Sequence, residues 1–125
     1  MALIIAEGIR RREFGGDIPA EDIDVLLRSA RIALSTPIKG EGLPKGTRLL
    51  KAYATSARGP RRIVYLLAVA VAKEDLFLLF YRGKTDEIGK NISLANPAFR
   101  RQLNRHLDIL INDIVAGRTH VIETA

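Results

Sequence analysis

Hydrophobic and polar residues change their spacing along the 125-residue chain, and each spacing predicts a different element. Residues 17–36 place apolar side chains three and four positions apart, as one face of an amphipathic helix does. Residues 96–117 repeat this spacing between an Asn96-Pro97 start and a Gly117 stop. The pattern therefore predicts two helices. The apolar stripe of the second helix consists of Phe99, Leu103, Leu107, Leu110, Ile111 and Ile114.

Between the predicted helices, the apolar residues form three short runs that favour strands. Residues 47–55 partly alternate, residues 62–71 are rich in branched side chains, and residues 76–82 form a return strand. Residues 2–5 predict a short first strand at the start of the chain. Residues 119–124 are compatible with either a last short strand or a loose end.

Two polar segments predict changes of chain direction. Residues 14–17 contain two glycines and read as a turn. The triplet Lys73-Glu74-Asp75 predicts the turn of a hairpin between the second and third central strands. A hairpin centred on Glu74 would bring residues near 65 and 83 opposite one another.

The order of these elements predicts an α+β domain that spans residues 1–125. We expect a small antiparallel sheet of three to four strands in a meander. An N-terminal helix region and the C-terminal helix are expected to pack on one face of this sheet, which leaves the other face open. Arg48 and Lys51 are three positions apart, so they do not share a face of their strand.

The most apolar stretch, residues 61–84, is too short and too interrupted for a membrane span. Charged residues 73–75 divide it, and no window reaches the roughly 18 apolar residues that a spanning helix needs. The amino terminus lacks the order of a secretory signal, which favours the cytoplasm and no membrane partner. The chain has no cysteine, and His106 and His120 are too few for a zinc site, so we expect no metal and no cofactor.

The net charge of +6 and a pI near 10.1 favour a polyanionic partner. The densest basic segment, residues 45–62, has six basic residues and no acidic one. A solvated basic loop is the alternative interpretation, but loops usually carry both signs. The six basic residues are Lys45, Arg48, Lys51, Arg58, Arg61 and Arg62.

A protein without metal ligands can still cleave RNA by aligning a ribose 2′-hydroxyl for attack on the adjacent phosphate. This reaction needs cations for the developing charge and groups that move protons. The predicted hairpin places Tyr65, Tyr81 and Lys84 near one end, with Arg62 a short step away. Tyr65 is also expected as a core aromatic residue, and Arg62 as a partner in a surface ion pair.

Three motifs resemble the core of the RelE/HigB-like toxins of bacterial toxin–antitoxin systems. They are GLPKGTRLLK at residues 42–51, GPRRIVYL at residues 59–66 and LFLLFYRGKTD at residues 76–86. The resemblance implies a RelE-like domain that cleaves mRNA on the ribosome without a metal and is neutralised by a cognate antitoxin. Unlike members that use histidine, this chain has neither histidine in the hairpin.

The resemblance also implies roles for particular residues. Arg62 is similar to the sheet arginine that contacts the scissile phosphate, Tyr81 to an acid–base or base-stacking aromatic residue, and Lys84 to the lysine that follows it. These three form the expected catalytic set. A gyrase inhibitor of the ParE kind and a non-catalytic nucleic-acid-binding module stay open as alternatives. The residues expected to bind RNA are Arg48, Lys51, Arg58, Arg61, Arg82 and Lys90.

Overall fold

A computed structural model describes residues 2–70 and 73–123 of the chain. Its elements in chain order are β1 (Ala2–Ala6), α1 (Glu7–Phe14), α2 (Ala20–Ala33), β2 (Pro37–Ile38), β3 (Thr47–Ser56), β4 (Gly59–Ala70), β5 (Lys73–Gly83), α3 (Pro97–Ala116) and β6 (Thr119–Glu123). The fold is α+β, as predicted. The prediction of three to four strands was wrong, because the strands within the described ranges form one six-stranded sheet.

The sheet is mixed, with the strand order β2-β3-β4-β5-β1-β6. Strands β3, β4 and β5 form the predicted antiparallel meander. Strand β1 then lies parallel to β5, with Leu3 opposite Leu76, and β6 lies antiparallel to β1. A purely antiparallel sheet was therefore the wrong expectation. The first strand is too short for its sequence to indicate which neighbour it joins.

The hairpin of β4 and β5 has a different register from the predicted one. Glu74 and Asp75 belong to β5 and pair with Val69 and Ala68, so the predicted turn at these residues was wrong. The residues that connect the strands, 71–72, lie outside the described residues. At the other end of the hairpin, Arg62 pairs with Arg82.

A β-bulge interrupts this hairpin at Leu79. Tyr65 pairs with Leu78, whereas Val64 pairs with Phe80, so Leu79 has no partner residue on β4. The extra residue on β5 shifts every later pair by one position. The predicted pairing of residue 65 with residue 83 was wrong for this reason and because the turn lies earlier.

Helices α2 and α3 lie on opposite faces of the sheet. Neighbouring residues of a strand point to opposite faces. The ring of Phe80 contacts Phe99 and His106, which belong to α3. The hydroxyl of Tyr81 instead bonds to Asp22 of α2. We call these the α3 face and the α2 face; the predicted packing of both helices on one face was wrong.

Burial along β4 agrees with two covered faces. Five consecutive residues, 63–67, are buried, which is the pattern of a strand between two layers rather than of a half-exposed strand.

Within the described residues, no helix is long and apolar enough to cross a membrane.

The two predicted helices exist with slightly different bounds. α2 occupies 20–33 instead of 17–36, and α3 occupies 97–116 with Asn96 as its cap, because the Asn96 side chain accepts a hydrogen bond of 3.1 Å from Ala98 N. The predicted stripe of α3 is buried through Leu110, but Ile111 and Ile114 are exposed. A further helix, α1, occupies 7–14 and ends at Gly15, whose φ of 72° is left-handed.

Candidate nucleic-acid interface

The predicted catalytic residues Arg62, Tyr81 and Lys84 are not brought together on one surface. Because of the bulge, Tyr81 pairs with Ile63, so its side chain lies on the α2 face, whereas Arg62 lies on the α3 face. Lys84 is exposed in the turn that follows β5. If the pairing of Tyr65 with Leu78 continued without the bulge, Leu79 would pair with Val64 and Tyr81 would lie directly opposite Arg62.

Tyr81 is part of the packing between α2 and the sheet. Only 6% of the residue is exposed, and its hydroxyl donates a hydrogen bond of 2.7 Å to Asp22 Oδ1. Burial, followed by this bond, raises the pKa of Tyr81. Arg58 donates to the other oxygen of Asp22 at 3.0 Å, and the Arg61 guanidinium lies 5.6 Å from the centre of the Tyr81 ring. Arg58 and Arg61 therefore contact Asp22 and Tyr81 within the protein itself.

On the α3 face, two basic residues surround an exposed tyrosine. The guanidinium carbon of Arg62 lies 3.9 Å from the centre of the Tyr53 ring, across the pair that joins β3 and β4. Lys51 Nζ donates a hydrogen bond of 3.1 Å to Tyr53 Oη. Tyr53 is 51% exposed. We call Lys51, Tyr53 and Arg62 the Tyr53 cluster.

The electrostatics of the Tyr53 cluster favour a negative ligand. The hydrogen bond from Lys51 lowers the pKa of Tyr53 despite partial burial, and the charges of Lys51 and Arg62 lower it further. Within residues 2–70 and 73–123, neither Lys51 nor Arg62 forms an ion pair with a carboxylate. The cluster thus offers two uncompensated cations and a phenol that loses its proton more readily than a free one.

Arg82 lies beside Arg62 on the next strand, β5. It is the cross-strand partner of Arg62, and its side chain is 24% exposed. Unlike Arg62, it is paired with carboxylates: Nε lies 2.8 Å from Glu13 Oε1, and Nη1 lies 3.4 Å from Asp86 Oδ2. Tyr53, Arg62 and Arg82 therefore form one line across three strands.

The other predicted RNA-binding residues lie elsewhere. Arg48 is exposed and, as predicted, does not share a face with Lys51. Lys90 is exposed in the segment between β5 and α3. Within the described part of the chain, no group of three or more His, Cys, Asp or Glu residues could hold a metal ion.

Sequence reasoning did not single out Tyr53. The signal for it was weak: Lys51 and Tyr53 are two positions apart on one strand and hence share a face, but their proximity to Arg62 depends on the pairing of β3 with β4. The carboxylate of Glu13, which bonds to Arg82, belongs to α1, and the ring of His106, which bonds to Glu13, belongs to α3. Both are remote in sequence from β5.

Comparisons with protein-family models, with curated proteins and with solved structures give no match for this chain. Function is therefore inferred from the Tyr53 cluster, from the charge of the chain and from the motifs described above.

Proposed function

We propose that this protein is an endoribonuclease of the toxin type, which cleaves mRNA on the ribosome, and that the Tyr53 cluster is its site. The observation that carries the proposal is the exposed Tyr53 phenol between two uncompensated cations on an open part of the sheet. The resemblance of three motifs to RelE/HigB-like toxins supports the substrate class. Tyr53 takes the role first expected for Tyr81, because Tyr81 is buried on the opposite face.

The proposed reaction is attack of the ribose 2′-oxygen on the adjacent phosphorus with loss of the 5′-oxygen of the next nucleotide. The Tyr53 phenolate accepts the 2′-hydroxyl proton, and the leaving 5′-oxygen receives a proton from Lys51. Arg62 binds the phosphate oxygens while negative charge accumulates on them. Proton transfer from Tyr53 to Lys51 across their 3.1 Å hydrogen bond restores the site. The products are a 2′,3′-cyclic phosphate and a 5′-hydroxyl.

The test compares Tyr53→Phe with Tyr81→Phe in a purified translation system containing a defined mRNA. Loss of a general acid–base group reduces a rate by about 10² to 10⁴-fold, so Tyr53→Phe should cleave at least about 100-fold more slowly. Tyr81→Phe should cleave as fast as the parent. Cleavage products should end in a cyclic phosphate. Equal cleavage by Tyr53→Phe and the parent would refute the assignment.

A nucleic-acid-binding module without chemistry is the second candidate, because the same uncompensated cations bind phosphate without cleaving it. Such a module leaves RNA intact, and its affinity falls steeply as salt rises. Gyrase inhibition with intact RNA, measured in a supercoiling assay, would instead support the ParE-like alternative. A cognate antitoxin, which we expect as the partner, should restore growth when co-expressed from an adjacent reading frame.

A further inference from the structure

Arg82 is held by a buried carboxylate, Glu13, at the end of α1. The Glu13 side chain is 0% exposed. Its Oε1 accepts hydrogen bonds of 2.8 Å from Tyr81 N and 2.8 Å from Arg82 Nε, and its Oε2 accepts one of 2.9 Å from Arg82 Nη2. His106 Nε2, also fully buried, lies 3.2 Å from the same Oε2. Two elements thus contribute four donors to one carboxylate.

The charge of Glu13 is kept inside the protein by these donors. Burial by itself would raise its pKa, but the hydrogen bonds from His106 and Arg82, together with the Arg82 charge, hold the pKa below its ordinary value. A buried ion pair of this kind contributes little net stability compared with apolar residues of the same size, because desolvation offsets the attraction. Its contribution is to geometry: the guanidinium is held by two parallel hydrogen bonds in one orientation.

That orientation matters because Arg82 is directly opposite Arg62 on the neighbouring strand. Like charges in opposite positions repel. Arg62 leans onto the Tyr53 ring at 3.9 Å, whereas Arg82 leans the other way, towards Glu13 and to 5.5 Å from the Phe80 ring. The two guanidiniums are therefore held on different partners over one stretch of sheet.

We infer that Glu13 is a positioning residue for RNA cleavage, an inference that rests on the proposed function. Glu13 touches no substrate; it fixes Arg82 so that two guanidiniums meet the phosphate in a preset geometry. His106 fixes Glu13 in turn, through Nε2 and through its stacking on Phe80 at 4.5 Å. Within the described residues His106 Nδ1 has no hydrogen-bond partner, so the Glu13 contact and this stacking determine the ring's orientation.

The experiment compares Glu13→Gln with Glu7→Gln, a matched control on the same helix whose carboxylate pairs with Arg11 on the surface. Displacement of a site group by about 1 Å lowers a rate by about 100-fold, so Glu13→Gln should cleave about 100-fold more slowly. Its RNA affinity should equal or exceed that of the parent, because Asp86 alone then offsets the Arg82 charge. A merely structural role would lower rate and affinity together. The Arg82 Nε–H resonance should be sharp and protected in the parent and in Glu7→Gln, and exchange-broadened in Glu13→Gln.

His106 provides a second pair of variants if Glu13→Gln does not fold. His106→Gln can place an amide donor near the position of Nε2 and should keep most of the activity, whereas His106→Leu removes the donor and should slow cleavage without weakening RNA binding. Equal rates for these two variants, or a Glu13→Gln rate equal to that of Glu7→Gln, would overturn the positioning role. Full cleavage by Tyr53→Phe would overturn the proposed site instead, so the two failures are distinguishable.

Discussion

Replacing Tyr81 with phenylalanine should destabilise the protein and leave the Tyr53 cluster intact. The change removes the 2.7 Å hydrogen bond to Asp22, a carboxylate that is only 2% exposed, but keeps the ring contact with Phe14 at 5.1 Å. A hydrogen bond to a charged group contributes about 1.5–3 kcal/mol. Asp22 keeps its bond to Arg58, which is largely exposed and compensates little. We expect the free energy of unfolding to fall by about 2 kcal/mol, or the Tm by about 8 °C for 125 residues.

Urea unfolding followed by far-ultraviolet circular dichroism measures this loss. Tyr53→Phe is the matched control: its hydroxyl is on the surface, so the change should stay within about 0.5 kcal/mol. In the Asp22→Asn background, Tyr81→Phe should cost less, because the charged acceptor is already absent. The reasoning fails if Tyr81→Phe unfolds like the parent while losing RNA cleavage, since Tyr81 would then act in the reaction rather than in packing.

Three further outcomes are expected. The rate of the proposed RNA cleavage should rise with pH and level off below pH 10.0, the ordinary pKa of a phenol, because the pKa of Tyr53 is lowered. A rate that is flat from pH 6 to 9 would contradict the role of Tyr53 as the base. The free energy of unfolding should fall above about pH 10, because the pKa values of Tyr65 and Tyr81 are raised in the folded protein and only the unfolded chain releases these protons. It should also fall below about pH 4.5, because the folded pKa of Glu13 is lowered and this carboxylate takes up a proton on unfolding. Asn96→Ala should lower the free energy of unfolding by about 1–2 kcal/mol in thermal melts, because it removes the α3 cap and two bonds to loop carbonyls; an unchanged Tm would show that water replaces them.

The elements with strong periodicity were predictable. α2 and α3 follow the spacing of apolar residues, and the three central strands follow runs of branched side chains, so their existence was predicted and their bounds differ by a few residues. α1 was missed because only Ile9 among its eight residues is buried, which leaves almost no apolar period to detect. That omission also concealed Glu13, the residue that holds Arg82.

Part of the candidate site was predictable from the sequence and part was not. Arg62 and Lys51 were identified from their charge, and their places in predicted strands indicated a sheet surface. Tyr53 joins them only because β3 and β4 pair in one register. The helix arrangement was likewise beyond the sequence pattern: buried runs in β4 and β5 are compatible with two covered faces, but the pattern does not say which helix covers which face.

By itself, the sequence determined the α+β class, the central hairpin and the excess of positive charge, because these depend on local propensity and composition. The tertiary structure decided which charges meet. One unpaired residue, Leu79, shifts the register of β5 so that Arg82, not Tyr81, lies opposite Arg62. Side chains alternate between faces with every residue, so that single insertion moves Tyr81 into the packing under α2 and leaves Arg62 with Tyr53 on the other face.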